Sequence, residues 1–577
     1  MQVQRTILWI VFSMSLLFLW DSWQKHNGKP SMFGGAPVAQ APKAADGKAP
    51  AKADGSVPSA PVASAPPGAA PAAGAAAVPG AAAAPAAQPA VKLKSDVLAL
   101  EIDPLGGQVR RAELLQHKAG HDANGKLTND GVVLLRDDNV RKYVAQAGFI
   151  GAPAGSQFPT HLTQFTVADG ARELAAGQPA VTVTLSAESG GLKLVRTFTL
   201  ERGSYVVKMS DRIENVGEAP LKPALYMQLL RDNSKPEGES QFYSTYTGPV
   251  AYSDELKFHK VDFADIEKGK AELPKPAADG WVGLIQHYFV SAWIPADKAQ
   301  REFYANKVDG CKGAADACYA IGIKQPLAEL APKASATVDS RLLIAPQDQH
   351  MLEKVAPGLD LTVDYGWLTV IAKPIFWLLQ WLYALVQNWG WAIVLLTLVI
   401  KTAFFPLQAA SYKSMARMKA VTPRLMQLRE RYGDDRVKLN QAMMELYKEE
   451  KINPLGGCLP IVVQIPVFIA LYWVLLASVE MRNAPWALWI HDLAAPDPYY
   501  VLPLIMAGTM FLQTKMNPTP PDPVQAKVMM FMPIIFSVMF FFFPSGLVLY
   551  WLVNNCYSIA QQWFITKKYA AEHPAKK

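Results

Sequence analysis

One lysine stands inside an apolar stretch. Lys401 lies within Trp391–Leu407, a segment long enough, at ~1.5 Å per residue, to cross most of a bilayer core. A charge at that depth costs roughly 2.5–3.5 kcal/mol on insertion scales. Either Lys401 snorkels to an interface, or it lines a wet cavity inside the protein. The Trp391 end is ~15 Å away, too far for easy escape in that direction. Thr397, Lys401, Phe404 and Gln408 share one helical face, so the charge has polar company. The chemistry open to an ammonium in such a place is attraction of acidic groups, strengthened by a low dielectric, and not covalent catalysis.

Other polar residues fall in apolar segments and can be placed by depth. Gln464 comes early in its segment, Gln513 late in its own, Asn554 and Asn555 near the middle of the last one, and Ser558, Gln561 and Gln562 beyond it. The opposite halves, such as WAIVLL, IALYWVLLA and VMFFFF, have almost nothing polar. Intramembrane polarity is therefore concentrated in one leaflet. A channel needs polarity right through, and a secondary transporter usually puts its site at the midplane on repeated, broken helices. A transporter or channel using Lys401 is thus the weaker alternative. The plain alternative for the amides is interhelical hydrogen bonding, worth about 0.6 kcal/mol each, and it suits Gln561 and Gln562 best.

Elsewhere the sequence argues against catalysis. Residues 91–345 show no paired catalytic carboxylates, no G-x-S-x-G and no phosphate-binding glycine loop, which weighs against a tethered carbohydrate-modifying enzyme. Glu101 and Asp103 beside Gly106–Gly107 read as a strand end and turn. The four cysteines have no C-x-x-C spacing and form no metal-ligand pattern with the nine histidines, so neither a metal nor another cofactor is expected. Cys311 and Cys318 bracket KGAADA, a loop that a disulfide can close in an oxidising compartment.

The elements that must position these residues follow from patterning. Residues 1–25 hold a continuous apolar run ending in LFLWDSW, too bulky for signal-peptide cleavage, and read as an anchor helix. Residues 26–90 are an Ala/Pro-rich tether that cannot bury enough surface to order. Residues 91–345 alternate as strands at 98–102, 180–189, 193–200 and 336–344. The stretch 283–294 reads as a strand pair or one long strand, and the whole suits a large β-sandwich. Region 346–389 contains a short helix at 347–355, then a Trp-rich segment at 365–388 expected to lie in the membrane interface.

The core, 390–566, carries spans at about 391–407, 459–477, 500–516, 528–543 and 545–565. Loop 408–453 has ten basic residues against six acidic, and the 567–577 tail is basic. By the positive-inside rule both are cytoplasmic, which puts 480–500 and the sandwich outside. Within the loop, 409–421 is helical, Thr422-Pro423 is expected to restart a helix, and Asp434–Asp435 caps another running to Glu450. This hairpin displays Met415, Arg417, Met418, Lys419, Arg424, Met426, Arg429, Met443 and Met444. The methionines either fill its seam or offer an adaptable surface to varied partners.

The blocks NPLGGCLPIVVQIPVF (453–468), APWALWIHDLAAPDPYYVLPLI (484–505) and FPSGLVLYWLVNN (543–555) resemble those of the YidC membrane protein insertase family, Gram-negative type. The layout of the whole chain is similar as well. The resemblance implies a multi-domain inner-membrane protein: an all-β periplasmic supersandwich plus an α-helical membrane core of five transmembrane helices, six spans with the N-terminal anchor. It implies nascent membrane proteins as clients, the Sec translocon as an occasional partner, the ribosome at the basic loop and tail, and no sequence-specific nucleic acid. It also implies a groove open to cytoplasm and lipid, built here from Lys401, Thr397, Gln464, Gln513, Asn554, Ser558 and Trp551. The family's arginine in the first core helix matches Lys401, which keeps the charge but replaces a planar fork by a point charge. Trp551, next to Tyr550, matches an aromatic position that is commonly Tyr.

Overall fold

The computed structural model describes residues 57–58, 89–121, 127–138, 140–236, 245–309, 317–433, 435–450, 459–517, 527–528, 530–532 and 537–572. The expected anchor helix, nearly all of the tether, Cys311 and the end of the tail lie outside the described residues. The chain divides into two units, one holding 36–239 and 244–363, the other 364–577 with short outlying segments.

The first unit is a sandwich of an eight-stranded and a nine-stranded sheet. Strand Leu192–Glu201 shows why it forms: Leu192, Leu194, Arg196, Phe198 and Leu200 are buried, while the residues between them face outward. The stretch 283–294 resolves into a hairpin pair, Trp281–Gln286 and Phe289–Pro295, turned at His287 and Tyr288 with His287 at φ 47°. Helix α1 (Phe263–Glu267) is a short insertion. Helix α2 (Gln349–Val355) is capped by Asp348, which accepts from Met351 N at 3.0 Å. Its Leu352, with Leu359 beyond, joins the core around Trp281, so the first part of the expected interfacial region packs with the sandwich.

Two polar devices fix the sandwich interior. Arg196 and Asp211 are cross-strand partners, both fully buried. The guanidinium donates to both carboxylate oxygens, at 2.8 and 2.7 Å, and to Ala147 O of the other sheet at 3.0 Å. In the eight-stranded sheet, Tyr304 donates to Gln228, Gln228 to Gln146 and Gln146 to Gln108, all at 2.7–2.8 Å. Gly322 leaves the gap through which Tyr304 reaches, since a Cβ there would sit 2.4 Å from its hydroxyl. Burial raises the Tyr304 phenol well above its ordinary pKa, with Tyr226 adding to the effect, so it remains a donor.

The second unit is helical: α3 (Thr369–Val386), α4 (Trp389–Ala403), α5 (Phe405–Tyr432), α6 (Arg436–Glu449), α7 (Leu459–Ala477), α8 (Val501–Met516) and α9 (Ser545–Glu572). The first core span was expected to run to Leu407. The helix there ends at Ala403, and α5 leaves it at 66°. Pro406 is the cause: it has no N–H to donate, and its ring crowds the preceding turn. A second correction concerns Thr422-Pro423. The helix does not restart there; α5 continues through Pro423, and Thr422 Oγ1 donates back to Met418 O at 3.0 Å. Asp435 does cap α6, accepting from Lys438 N at 3.1 Å.

Among the described residues α3 is by itself long and apolar enough to cross a membrane, and α4 with α5 qualifies as one bent span. Val463–Ala477 and α8 are shorter apolar helices, and 528–543 is only partly described, so helix length alone does not reproduce a count of six. The α3 residues Val370, Trp377 and Leu385 are 85%, 65% and 62% exposed, an outer face that is largely apolar and also carries the exposed Lys373.

Replacing Asp211 by Ala leaves the Arg196 guanidinium buried and unpaired. The expected loss is about 3–5 kcal/mol of sandwich stability. Hydrogen exchange of the Leu192–Glu201 and Val206–Asn215 amides in the full chain checks this; unchanged protection contradicts it.

Candidate functional site

Four helices converge on Lys401. Asn388 starts α4 by accepting from Trp391 N at 3.1 Å, and Lys401 sits in the last turn of that helix. A cation there faces the carbonyl end of the helix dipole. The side chain is 3% exposed. Its Nζ donates to Ser558 Oγ of α9 at 2.9 Å and to Gln464 Oε1 of α7 at 3.4 Å. Both partners are uncharged.

The surrounding groups fit together as donors and acceptors. Gln408, at the start of α5, donates to the same Gln464 oxygen at 3.0 Å. Gln464 Nε2 donates to Asn554 Oδ1 at 2.9 Å, and Ser558 Oγ donates to Asn554 O at 2.8 Å. Tyr412 of α5 hydrogen-bonds Ser558, and Tyr550 of α9 hydrogen-bonds Gln464. Gln464 is thus the hub joining α4, α5 and α9 to α7. A carboxylate placed among these groups would replace neutral dipoles with a full counter-charge to Lys401.

The expected site residues separate into groups. Lys401, Gln464, Asn554 and Ser558 come together. Thr397 is buried one turn away but donates to Ile393 O of its own helix at 2.7 Å. Gln513 is half-buried on α8 and makes no hydrogen bond to this cluster; α8 and its C-cap meet α9 instead through Thr509 with Asn555 and Asn517 with Gln562. Trp551 faces aromatic rings, 4.5 Å from Phe468 and 4.9 Å from Phe540 between centroids. Gln408, Tyr412 and Tyr550 were absent from the expected set. The sequence had placed Gln408 on one helical face with Lys401, and the structure brings the two to the same Gln464 oxygen from different helices.

The hairpin seam is Val421, Leu425 and Leu446, with Met418, Leu428, Met443 and Tyr447 packed against them. Met426 and Met444 are 47% and 54% exposed and lie outside the seam. Met415, Arg417 and Arg429 are half-buried, Lys419 is exposed, and Arg424 pairs with Glu450 at 2.6 Å on the surface. Cys318 is buried and disulfide-bonded, Cys311 lies outside the described residues, and Cys556 is free. Among the described residues no group of His, Cys, Asp and Glu could hold a metal ion.

One unit is apolar and helical, built around a buried cation held by an amide and a hydroxyl, and the other is an antiparallel sandwich. The sequence model described as "YidC periplasmic domain" matches residues 90–378, and that described as "60Kd inner membrane protein" matches 381–572. The membrane protein insertase YidC of Cupriavidus necator is 55% identical over 570 residues, covering 98% of each chain. That of Bordetella pertussis is 55% identical over 567 residues, again 98% of each. A solved structure titled "Active YidC insertase crystal structure with the first transmembrane domain resolved" is 17% identical, with a TM-score of 0.36 over 82% of this chain and 94% of that one. The chain belongs to the YidC family of membrane protein insertases, inner-membrane proteins with a periplasmic domain, whose members are not enzymes.

Replacing Gln464 by Leu removes the acceptor shared by Lys401 and Gln408 and strands Asn554. Each buried group left unpaired costs about 1–3 kcal/mol. The detergent-extracted protein is expected to melt at lower temperature than the parent, and more so than a Gln513→Leu variant. Equal melting of the two variants contradicts the hub.

Proposed function

We propose that this insertase receives the hydrophilic part of a nascent membrane protein at the Lys401 cluster from the cytoplasmic side. The apolar part then leaves into lipid. The observation that carries this reading is a buried ammonium whose partners among the described residues, Ser558 and Gln464, are neutral, so that they do not cancel its positive field. Client tails carrying Asp or Glu are drawn to that field, and the work is to lower the barrier for passing a polar segment through hydrocarbon. No bond of the client is made or broken.

On this reading the chain has six spans with both termini cytoplasmic, the hairpin 408–453 faces the cytoplasm, and α3 lies at the periplasmic face. The Sec translocon is a partner for some clients. The basic loop and tail meet the ribosome, with Arg417, Lys419, Arg424 and Arg429 supplying charge and the exposed Met426 and Met444 an adaptable apolar surface. The aromatic packing of Phe468, Phe540 and Trp551 weighs against a channel or transporter, which needs polarity beyond the cluster.

Insertion of a single-span reporter with an acidic or a neutral translocated tail tests the charge. Lys401→Glu is expected to reduce insertion of the acidic-tailed reporter most, Lys401→Ala less, and Lys401→Arg hardly at all. If all three variants insert both reporters like the parent, charge attraction is wrong for this protein. Equal loss with both tails points instead to a folding role.

Cys318 pairs, on this topology, with Cys311 on the oxidising side. Thiol mapping of the purified protein under non-reducing conditions is expected to recover a peptide pair linking the two. Two alkylatable thiols at these positions contradict it.

A further inference from the structure

Gln408 has one end of its amide fixed and the other open. Its Nε2 donates to Gln464 Oε1, while its own Oε1 is buried and has no partner among the described residues. The residue is 5% exposed and stands one turn past the α4–α5 break. Gln561 repeats the arrangement beside the same turn: its Nε2 donates to Phe405 O at 3.3 Å, and its Oε1 is likewise buried and unpartnered. An acceptor stranded away from water is satisfied when a donor arrives.

The Lys401 ammonium and the Gln408 oxygen have complementary needs. The ammonium donates and attracts carboxylates. The amide oxygen only accepts, and a carboxylate offers it nothing. A polypeptide offers one N–H for every non-proline residue, whatever its side chains. A client held beside Lys401 therefore always brings the donor that Gln408 lacks.

We propose that Gln408 is a client-positioning residue: locked by Gln464, its Oε1 accepts a hydrogen bond from a main-chain N–H of the hydrophilic client segment. This rests on the Lys401 cluster being the client site, and it adds an element of recognition that is independent of client charge.

The test uses the full chain in native membranes and Gln408→Met, which keeps the length and removes the acceptor. Two reporters carry neutral tails of equal length, one rich in Ser and Gly, the other with Pro at every second position and so with half the N–H groups. Gln408→Met is expected to lower insertion of the Ser/Gly tail by about three- to tenfold and that of the Pro-rich tail much less. No loss, or equal loss with both tails at parental protein levels, overturns the proposal, because a structural or water-holding role does not depend on client N–H groups. Lys401→Glu with an acidic tail runs in parallel. If that variant loses the acidic tail while Gln408→Met is silent, the Gln408 role fails and the charge reading stands. If Lys401→Glu is silent and Gln408→Met discriminates the two tails, the acceptor role stands without charge attraction. A second measurement covers a poorly folded Met variant: Gln408→Cys is expected to form a disulfide with a single cysteine in a stalled client tail. Capture by Lys401→Cys and not by Gln408→Cys overturns the placement.

Discussion

Holding a cation inside an apolar helical unit, with no counter-ion among the described residues, is the constraint on which this arrangement depends. Removing an ammonium from water costs several kcal/mol even after the surroundings relax. The cost is offset here by dipoles: the Ser558 hydroxyl, the Gln464 amide and the carbonyl end of α4. Dipoles lower the energy of the charge while leaving its field largely intact. A buried Asp or Glu would lower it further and extinguish the field at the same time. The requirement for neutral partners explains why the cluster is made of amides and hydroxyls. It also explains why the acceptors come from two other helices, α7 and α9, since the ammonium's own helix does not supply them.

The sandwich meets the same problem in the opposite way. Arg196 is as buried as Lys401, but Asp211 takes it in a two-pronged pair and Ala147 O takes a further donor. The charges cancel locally, and what remains is geometric: two strands in register and two sheets tied together. The ladder from Tyr304 to Gln108 does similar work without charge, each amide fixing the next. Cancelled charge in one unit and retained charge in the other separate a structural ion pair from a candidate site, although burial is nearly the same.

Much of this was legible in the residues. Period-two alternation placed the strand Ala180–Ser189 to the residue and three others to within two residues, and the deep lysine marked the polar cluster. Depth along each segment picked out Gln464, Asn554 and Ser558. What failed was rotation about the helix axis. Gln513 has a suitable depth but makes no hydrogen bond to the cluster, and Trp551 turns toward Phe468 and Phe540. Depth comes from counting along one helix, whereas facing depends on how several helices pack. The helix ends failed at proline for a related reason. Pro406 breaks the chain by 66° and Pro423 does not break it at all. The same missing N–H is decisive where the following helix turns away to its own packing, and tolerable where the hairpin seam of Val421 and Leu425 holds the helix together from both sides.

The break at Pro406 bears directly on the site. Had α4 continued straight to Leu407, Gln408 would stand two turns beyond Lys401 along the same axis, ~10 Å away. The bend instead lets both side chains reach one oxygen of Gln464, at 3.4 and 3.0 Å. It also exposes Phe405 O to Gln561, so the last helix is fastened to the turn itself. A single residue without an N–H therefore ends the helix behind the cation, where the dipole supports it, and brings an amide from the next helix to its side. On the proposed topology this happens at the cytoplasmic end, and the polar cluster gives way to the rings of Phe468, Phe540 and Trp551 farther along. On the same proposal, a segment drawn in by charge and main-chain hydrogen bonds meets hydrocarbon-like packing next. That favours partial entry of a polar tail over open conduction, and lateral departure of whatever apolar helix follows it.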